Sequence, residues 1–303
     1  MKSKVIAVVG PTSSGKTALS VWLAKQIQKG FGGAEIISAD SRQVYKGLNL
    51  GTGKVTKKEK AGIPHHLLDV ASPKRVFSAS DFKKLGEKAI AKIIKNGHVP
   101  VVVGGTGLYA EVLVGRIVLP EVPPNAKLRA QLEKLSAKQL FARLQKKDPE
   151  RAANIEPGHK RRLVRALEIA SALGRSPSKL GAMQAEEKYD VLWLGLNPGM
   201  EKLQKNIKLR LRARLKAGML AEAKRLHKGG LSYKRMEALG LEYRGLARFL
   251  QGKISKVGME LELNRAITHY AKRQLRWYKR NPNIHWVNGK AEALQLSKKF
   301  IAP

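Results

Sequence analysis

The stretch VIAVVGPTSSGKTALSVWLAKQI, residues 5–27, joins a β-rich apolar run, a glycine-bounded loop and a helix. Val5–Gly10 reads as a strand, and Leu19, Trp22, Leu23 and Ile27 recur at helical spacing over Thr17–Ile27. Between them GPTSSGKT, residues 10–17, satisfies G-x-x-x-x-G-K-[ST] in full and in the strand–loop–helix context that gives the motif meaning. The glycines let the chain wrap so that backbone N–H groups converge on phosphate oxygens, and the helix N-terminus adds partial positive charge. Gly10, Pro11, Thr12, Ser13, Ser14, Gly15, Lys16 and Thr17 are therefore expected to hold a di- or triphosphate. In such a loop Lys16 reaches the terminal phosphates and the Thr17 hydroxyl is a ligand for Mg²⁺. Kinases, NTPases and transferases all use a site of this kind.

Outward from the loop, strands and helices alternate. Glu35–Asp40 reads as a second strand, Leu67–Val70 as a short third and Pro100–Gly105 as a further one. Ser80–Lys95 reads as a helix with Phe82, Leu85, Ala89 and Ile93 on one face, stopped at Asn96-Gly97. Valine- and isoleucine-rich strands separated by amphipathic helices predict a parallel sheet covered on both faces. Past Pro120, Pro123 and Pro124 the pattern is helical only, and strand character returns at Val191–Leu196 and Ile284–Val287. The fold class expected is thus α/β. Residues 1–119 and 191–303 form the core, and 120–190 an inserted all-helical domain. Leu203–Arg280 is expected to be mostly helical, broken near Gly229-Gly230 and Gly252.

The chain has 303 residues, 59 Lys+Arg against 23 Asp+Glu, a formal charge of +36 and no cysteine. Disulfides and Cys-ligated zinc are excluded, and the seven histidines, dispersed apart from His65-His66, offer no metal-ligand spacing. No apolar run approaches the roughly 18 residues of a membrane span. The run after Met1-Lys2-Ser3-Lys4 is too short for a signal peptide, so a cytoplasmic protein without membrane contact is expected. The positive charge suits a nucleic-acid partner. It is spread along the chain, +12 over 1–119, +6 over 120–190 and +18 over 191–303, as a chain-wide bias would also give.

Two further groups stand at the carboxyl ends of predicted strands, where open parallel sheets bind ligands. One is Asp40-Ser41-Arg42-Gln43, whose Asp40 could hold Mg²⁺ through water, act as general base, or simply cap a helix. The other is GGTGLY, residues 104–109, with a Thr106 hydroxyl and glycines that permit close backbone approach or merely a tight turn. YAKRQLRWYKR, residues 270–280, interleaves rings with cations, as RNA-contacting segments do. Ile267, Ala271, Leu275 and Tyr278 would also make an apolar stripe there, with a solvated basic face. Arg161-Arg162-Leu163-Val164-Arg165 is a basic cluster in the inserted segment, open to either reading.

Taken together the chain resembles the tRNA dimethylallyltransferases, also called tRNA isopentenyltransferases, over nearly its whole length. The resemblance rests on GPTSSGKT (10–17), DSRQVYKGLNLGTGK (40–54), PHHLLD (64–69), FSASDF (77–82), GGTGLY (104–109), RRLVRALEI (161–169), GLEYR (240–244) and YAKRQLRWYKR (270–280). It implies a P-loop nucleotide-kinase-like core with a helical insertion that grips the anticodon stem-loop. The activity implied is transfer of a dimethylallyl group from dimethylallyl diphosphate to N6 of adenosine 37, in tRNAs reading codons that begin with U. By that resemblance Lys16, Thr17-bound Mg²⁺ and Arg210 neutralise the departing diphosphate, Asp40 is the general base, and Thr106 lies beside the reacting centre. Asp40, Ser41, Arg42, Gln43, Thr106, Arg161, Arg162, Leu163, Val164, Arg165, Leu239, Gly240, Leu241, Tyr243 and Arg244 match positions that contact tRNA.

Val55 stands after Lys54 where the family commonly has proline, Gly158-His159 replaces a frequent Asn-Asp pair, and Glu242 replaces a common glycine. A C-terminal zinc finger, frequent in eukaryotic relatives, is not expected in a chain without cysteine, which points to a bacterial or organellar relative. A monomer is expected. Three other readings compete: a small-molecule kinase or NTPase binding ATP at the loop, a prenyltransferase acting on free adenine nucleotides, and a non-catalytic RNA-binding protein. The helical insertion argues against the second, because a mononucleotide needs no such grip.

Overall fold

A computed structural model of the protein describes residues 2–174 and 188–302. They separate into two compact units, one of residues 1–115 and 187–303 and the other of residues 116–186.

In the first unit, β1 (Lys4–Val9) runs through the phosphate-binding motif into α1 (Lys16–Gln28), followed by β2 (Ala34–Ser38). A one-turn helix α2 (Lys57–Lys60), β3 (His65–His66), α3 (Ala79–Lys95), β4 (Val99–Gly104) and α4 (Gly107–Leu113) complete the first half. All strands pair in parallel in the order β3-β2-β4-β1, and the returning chain adds β5 and β6 beyond β1. Those last two are Asp190–Gly195 and Ile284–Trp286. The α/β class read from the sequence is the class observed.

Alternation along β1 sorts its side chains between two cores. Val5, Ala7 and Val9 face Phe82, Ile90 and Ile93 of α3 and Tyr109, Ala110 and Leu113 of α4. Ile6 and Val8 face Leu19, Leu23 and Ile27 of α1. Both faces are covered, which is why β1 and β4 are apolar along nearly their whole length.

The third strand lies at His65–His66, not at Leu67–Val70. Leu67 and Asp69 adopt φ of 62° and 57°, in the left-handed region that a strand cannot contain. Pairing with β2 ends at Ile37↔His66, and the chain then turns so that the Asp69 N–H donates to the Gln43 carbonyl (3.3 Å). Lys54 reinforces the turn by donating to Asp69 (2.5 Å) and to the Tyr45 carbonyl (2.7 Å).

The second unit contains α5 (Ala126–Leu132), α6 (Ala137–Lys147), α7 (Pro149–Ala153) and α8 (Lys160–Leu173). Leu132, Leu140, Leu144, Leu163, Val164 and Leu167 form its core. Local signals set the helix ends: Ser136 and Gln139 make a capping box, while Asp148 caps α7 with Pro149 at its first position. Glu168, 1% exposed, gathers the start of this unit. It accepts from Asn125 N–H (2.7 Å), takes both nitrogens of a bidentate Arg129 (2.7 Å each) and pairs with Arg165. Although burial opposes ionisation, these donors hold the Glu168 carboxyl down at about 2.

Its ordinary value is 4.5, so this carboxylate contributes stability that is complete above about pH 4.5 and is lost as pH falls toward 2. Glu168→Gln should cost roughly 2–3 kcal/mol, below the usual figure for a broken buried pair because both arginines remain about a third exposed. Urea melts at pH 7 should show this loss, and the variant's acid unfolding should have a shallower pH dependence between 4.5 and 2.

Beyond β5 the first unit continues as α9 (Met200–Lys216), α10 (Met219–Lys228), α11 (Tyr233–Leu239), α12 (Leu241–Leu250), α13 (Lys256–Tyr278) and, after β6, α14 (Lys290–Ile301). Helices α9 to α13 share a core of Ile207, Leu211, Met236, Leu246, Leu263 and Ile267 with Val44, Tyr45 and Leu48 of the loop after β2. Breaks occur at the expected glycine sites and also at Gly218 and Gly240, both with positive φ (98° and 77°). Among the described residues no helix is long and apolar enough to cross a membrane.

Candidate functional site

The carboxyl ends of β1, β2 and β4 open onto a cavity of about 810 Å³. Thr12–Thr17 form one wall, Asp40–Gln43 a second, and residues 239–242 and Arg244 with Ile267, Tyr270 and Gln274 a third. Arg210 and Asn206 reach in from α9. Gly10 and Pro11 stand behind the loop and do not line the cavity. At Gly10 (φ 144°) a β-carbon would lie 2.5 Å from the Leu196 carbonyl oxygen, so only glycine lets the chain leave β1 here.

Lys16 folds back within the loop, its ammonium donating to the Pro11 carbonyl (2.5 Å). Crowding by the cavity walls lowers its pKa to about 7, against the opposing pull of Asp40 and with the help of Arg210. Lys16, Asp40 and Arg210 thus sense one another across the same space. Ser14 Oγ is buried there with no hydrogen-bond partner among the described residues.

Asp40 caps its own turn through one oxygen only. Oδ1 accepts from the N–H groups of Arg42 (2.8 Å) and Gln43 (3.3 Å), and Oδ2 has no hydrogen-bond partner among the described residues. The capping role and a chemical role are therefore divided between the two oxygens. Thr106 ties this turn to the one after β4: its hydroxyl accepts from Ser41 N–H (3.1 Å), and its N–H donates to the Ala39 carbonyl (3.2 Å). Gly104 makes the approach feasible, since a β-carbon there would sit 2.0 Å from the Ala39 carbonyl oxygen.

A second tie fixes the loop of residues 49–53. Glu222, buried on α10, accepts from the N–H groups of Asn49 (3.1 Å), Leu50 (2.8 Å) and Gly51 (2.9 Å), and from the Tyr243 hydroxyl (2.7 Å). Arg214 donates to the Leu50 and Gly51 carbonyls and to Glu242, and Arg210 donates to the Gly53 carbonyl (2.9 Å).

Asp40, Ser41, Arg42 and Gln43 line the cavity together with Leu239, Gly240, Leu241 and Arg244. Tyr243 does not: it is buried and held by Glu222. Glu242 is engaged by Arg214. In the helical unit, Arg161 and Arg162 are exposed, whereas Leu163 and Val164 belong to that unit's core. Arg165 is engaged by Glu168 and the Val122 carbonyl. Of that basic run, only Arg161 and Arg162 present unencumbered side chains.

The sequence does not single out Glu222, and it marks Tyr270 and Gln274 only as part of the segment 270–280, without a place at the cavity. On α13 the buried stripe is Ile267, Ala271, Gln274 and Tyr278, with Gln274 where Leu275 was expected. The Gln274 amide accepts from Thr12 N–H (2.8 Å) and donates to the Gly105 carbonyl (2.7 Å), and the Tyr278 hydroxyl donates to the Gly104 carbonyl (3.0 Å). Tyr270, one turn earlier, meets Thr106 and is pushed up to about 12, chiefly by burial and then by Asp40. A glutamine in register with an apolar stripe was the available signal.

Mg²⁺ is implied by the resemblance, and the residues fit it. Thr17 and Asp40 supply hard oxygen donors on the cavity wall, and Mg²⁺ characteristically binds one or two protein oxygens together with phosphate oxygens.

The IPP transferase family model matches residues 43–281. The chain is 38% identical to tRNA dimethylallyltransferase 1 of Geotalea uraniireducens (strain Rf4), over 99% of this chain and 98% of that one. It is 39% identical to the tRNA dimethylallyltransferase of Roseiflexus sp. (strain RS-1), over 96% and 95%. Among solved structures, a full-length tRNA isopentenylpyrophosphate transferase from Bacillus halodurans superposes with a TM-score of 0.72 at 32% identity, covering 99% of this chain and 97% of that one. A eukaryotic dimethylallyltransferase acting on tRNA superposes with a TM-score of 0.85 at 27% identity, covering 99% and 80%. With a family match across most of its length and relatives this similar from end to end, the chain belongs to the IPP transferase family.

Proposed function

We propose that the protein transfers a dimethylallyl group from dimethylallyl diphosphate to N6 of adenosine 37 in tRNAs that read codons beginning with U. The observation that supports this reading is the meeting, in one cavity, of a phosphate loop with a carboxylate whose second oxygen has no partner among the described residues. The loop alone would serve a kinase or NTPase equally well. The carboxylate supplies the base that transfer to an exocyclic amine needs, because the amine nitrogen is a weak nucleophile and must lose a proton as it is alkylated.

In this reaction the N6–C1 bond forms and the allylic C1–O bond breaks. The electron pair of the broken bond leaves with diphosphate, and the amine proton passes to Asp40. The loop N–H groups, Lys16 and Arg210 stabilise the charge growing on the departing diphosphate. Thr17, with Asp40 nearby, would hold Mg²⁺, which would supply further neutralisation of that charge. Thr106 and Ser41 hold the base-bearing turn in place. Adenosine 37 reaches the cavity by flipping out of the anticodon loop, with Arg42, Gln43, residues 239–242 and Arg244 at the wall to receive it. Arg161 and Arg162 of the helical unit are the cations offered to the anticodon stem. A monomeric, cytoplasmic enzyme fits this reading.

Nucleosides from a tRNA pool incubated with the protein, Mg²⁺ and dimethylallyl diphosphate should contain one new species, N6-dimethylallyladenosine, detectable by mass spectrometry. ATP hydrolysis without prenyl donor or tRNA, and no prenylated nucleoside, would favour the kinase reading instead.

A further inference from the structure

The phosphate loop and the turn carrying Thr106 leave neighbouring strands and then separate. β1 and β4 pair as far as Val9↔Gly104. Among the described residues no backbone hydrogen bond joins residues 10–17 to residues 105–107. The gap between them is closed by one side chain. The Gln274 carboxamide, 6% exposed, accepts from Thr12 N–H (2.8 Å) and donates to the Gly105 carbonyl (2.7 Å). A carboxamide carries the same donor and acceptor as a peptide group, so Gln274 supplies one more rung where the sheet ladder has run out.

Each side of that rung leads to a reacting group. Thr12 belongs to the loop that holds the leaving group. Gly105 adjoins Thr106, whose hydroxyl and N–H grip Ser41 and Ala39 on either side of Asp40. The amide also occupies the Thr12 N–H, so phosphate contacts fall to the N–H groups further along the loop. We propose that Gln274 is a positioning residue for prenyl transfer: through its two backbone partners it sets the separation between the diphosphate cradle and the Asp40 base. This rests on the function proposed above. Alignment of nucleophile, electrophile and leaving group is where small displacements cost most, and a 1 Å shift is enough to cost about 10²-fold in rate.

Two substitutions at Gln274 and one opposite it test this. Gln274→Met keeps the length and removes both hydrogen bonds. Gln274→Glu keeps an acceptor for Thr12 but sets a carboxylate oxygen against the Gly105 carbonyl. Both should lower kcat about 10²-fold, with KM for dimethylallyl diphosphate and affinity for tRNA within about threefold of wild type. Gly105→Ala places a β-carbon 2.2 Å from Gln274 Nε2 and displaces the amide from the other side. The same kinetic signature is expected.

The double variant Gly105→Ala/Gln274→Ala removes that clash without restoring the tether. Its Tm should recover toward wild type while kcat stays low, which a purely packing role would not produce. Wild-type kcat in Gln274→Met, or recovery of rate together with Tm in the double variant, would overturn the proposal while leaving the proposed function intact. Absence of prenyl transfer by the wild-type protein would instead remove the function and this inference together.

Discussion

Asp40→Asn should slow prenyl transfer by about 10²–10⁴-fold, the usual contribution of a positioned general base, while tRNA affinity stays close to wild type. The substitution is well matched to the site. Asparagine keeps Oδ1, so the hydrogen bonds from Arg42 and Gln43 N–H that shape the turn survive, and only the second oxygen is exchanged for an amide nitrogen. A nitrogen donor there cannot accept the amine proton. Asp40→Ala, by contrast, also removes the cap and confuses loss of base with loss of turn. Single-turnover transfer with saturating donor and tRNA gives the chemical step, and filter binding gives tRNA affinity. A rate within threefold of wild type for Asp40→Asn would show that another group takes the proton.

How far the site could be read from the sequence follows from how local each signal is. The phosphate loop is a contiguous pattern flanked by elements that depend only on nearby residues, so strand, loop and helix were all legible from Val5 to Ile27. Asp40 and Thr106 were legible for a related reason: each directly follows a buried strand of a parallel sheet, and topology alone brings strand ends together. Gln274 is 262 residues from Thr12 and 169 from Gly105, and nothing local marks its amide as a rung between them. The placement of β3 failed on the same ground. Apolar content made Leu67–Val70 a plausible strand, but which residues pair is decided by the partner, and β2 pairs with His65 and His66.

Leu163 and Val164 illustrate a different limit. A motif that matches a family's contact positions does not say which of its members face outward. On α8 the helical period turns these two into the core and leaves Arg161 and Arg162 at the surface. The charge of +36 is likewise a poor guide to location, since the helical segment 120–190 carries the smallest share, +6. Much of the excess therefore adds non-specific, salt-sensitive attraction for RNA, whereas selectivity rests on few side chains.

Binding of dimethylallyl diphosphate should weaken as pH rises through 7, and Lys16 is the reason. In the free protein burial lowers its pKa to about 7, so around neutrality it gives up its proton and the neutral amine rests on the Pro11 carbonyl. A bound diphosphate brings negative charge beside that amine and raises its pKa, so binding takes up a proton above pH 7 and none well below it. Apparent affinity should then fall by up to about tenfold per pH unit above 7, levelling off at the pKa of the bound state. Titration calorimetry in buffers of differing ionisation enthalpy reads the proton uptake directly.

Unfolding does not offer a rival explanation for the loss. The Lys16 pKa is 10.5 when unperturbed, so the unfolded chain binds the extra proton between pH 7 and 10.5, and this group favours the folded state increasingly over that range. Lys16→Met should abolish the pH dependence. It should also cost about 10²–10³-fold in transfer rate, as removal of one donor aimed at developing charge typically does. Asp40→Asn provides an internal check, because loss of the nearby carboxylate removes the influence that raises the Lys16 pKa. In that variant the onset of weakened donor binding should move to lower pH, and an unchanged onset would separate the two residues electrostatically.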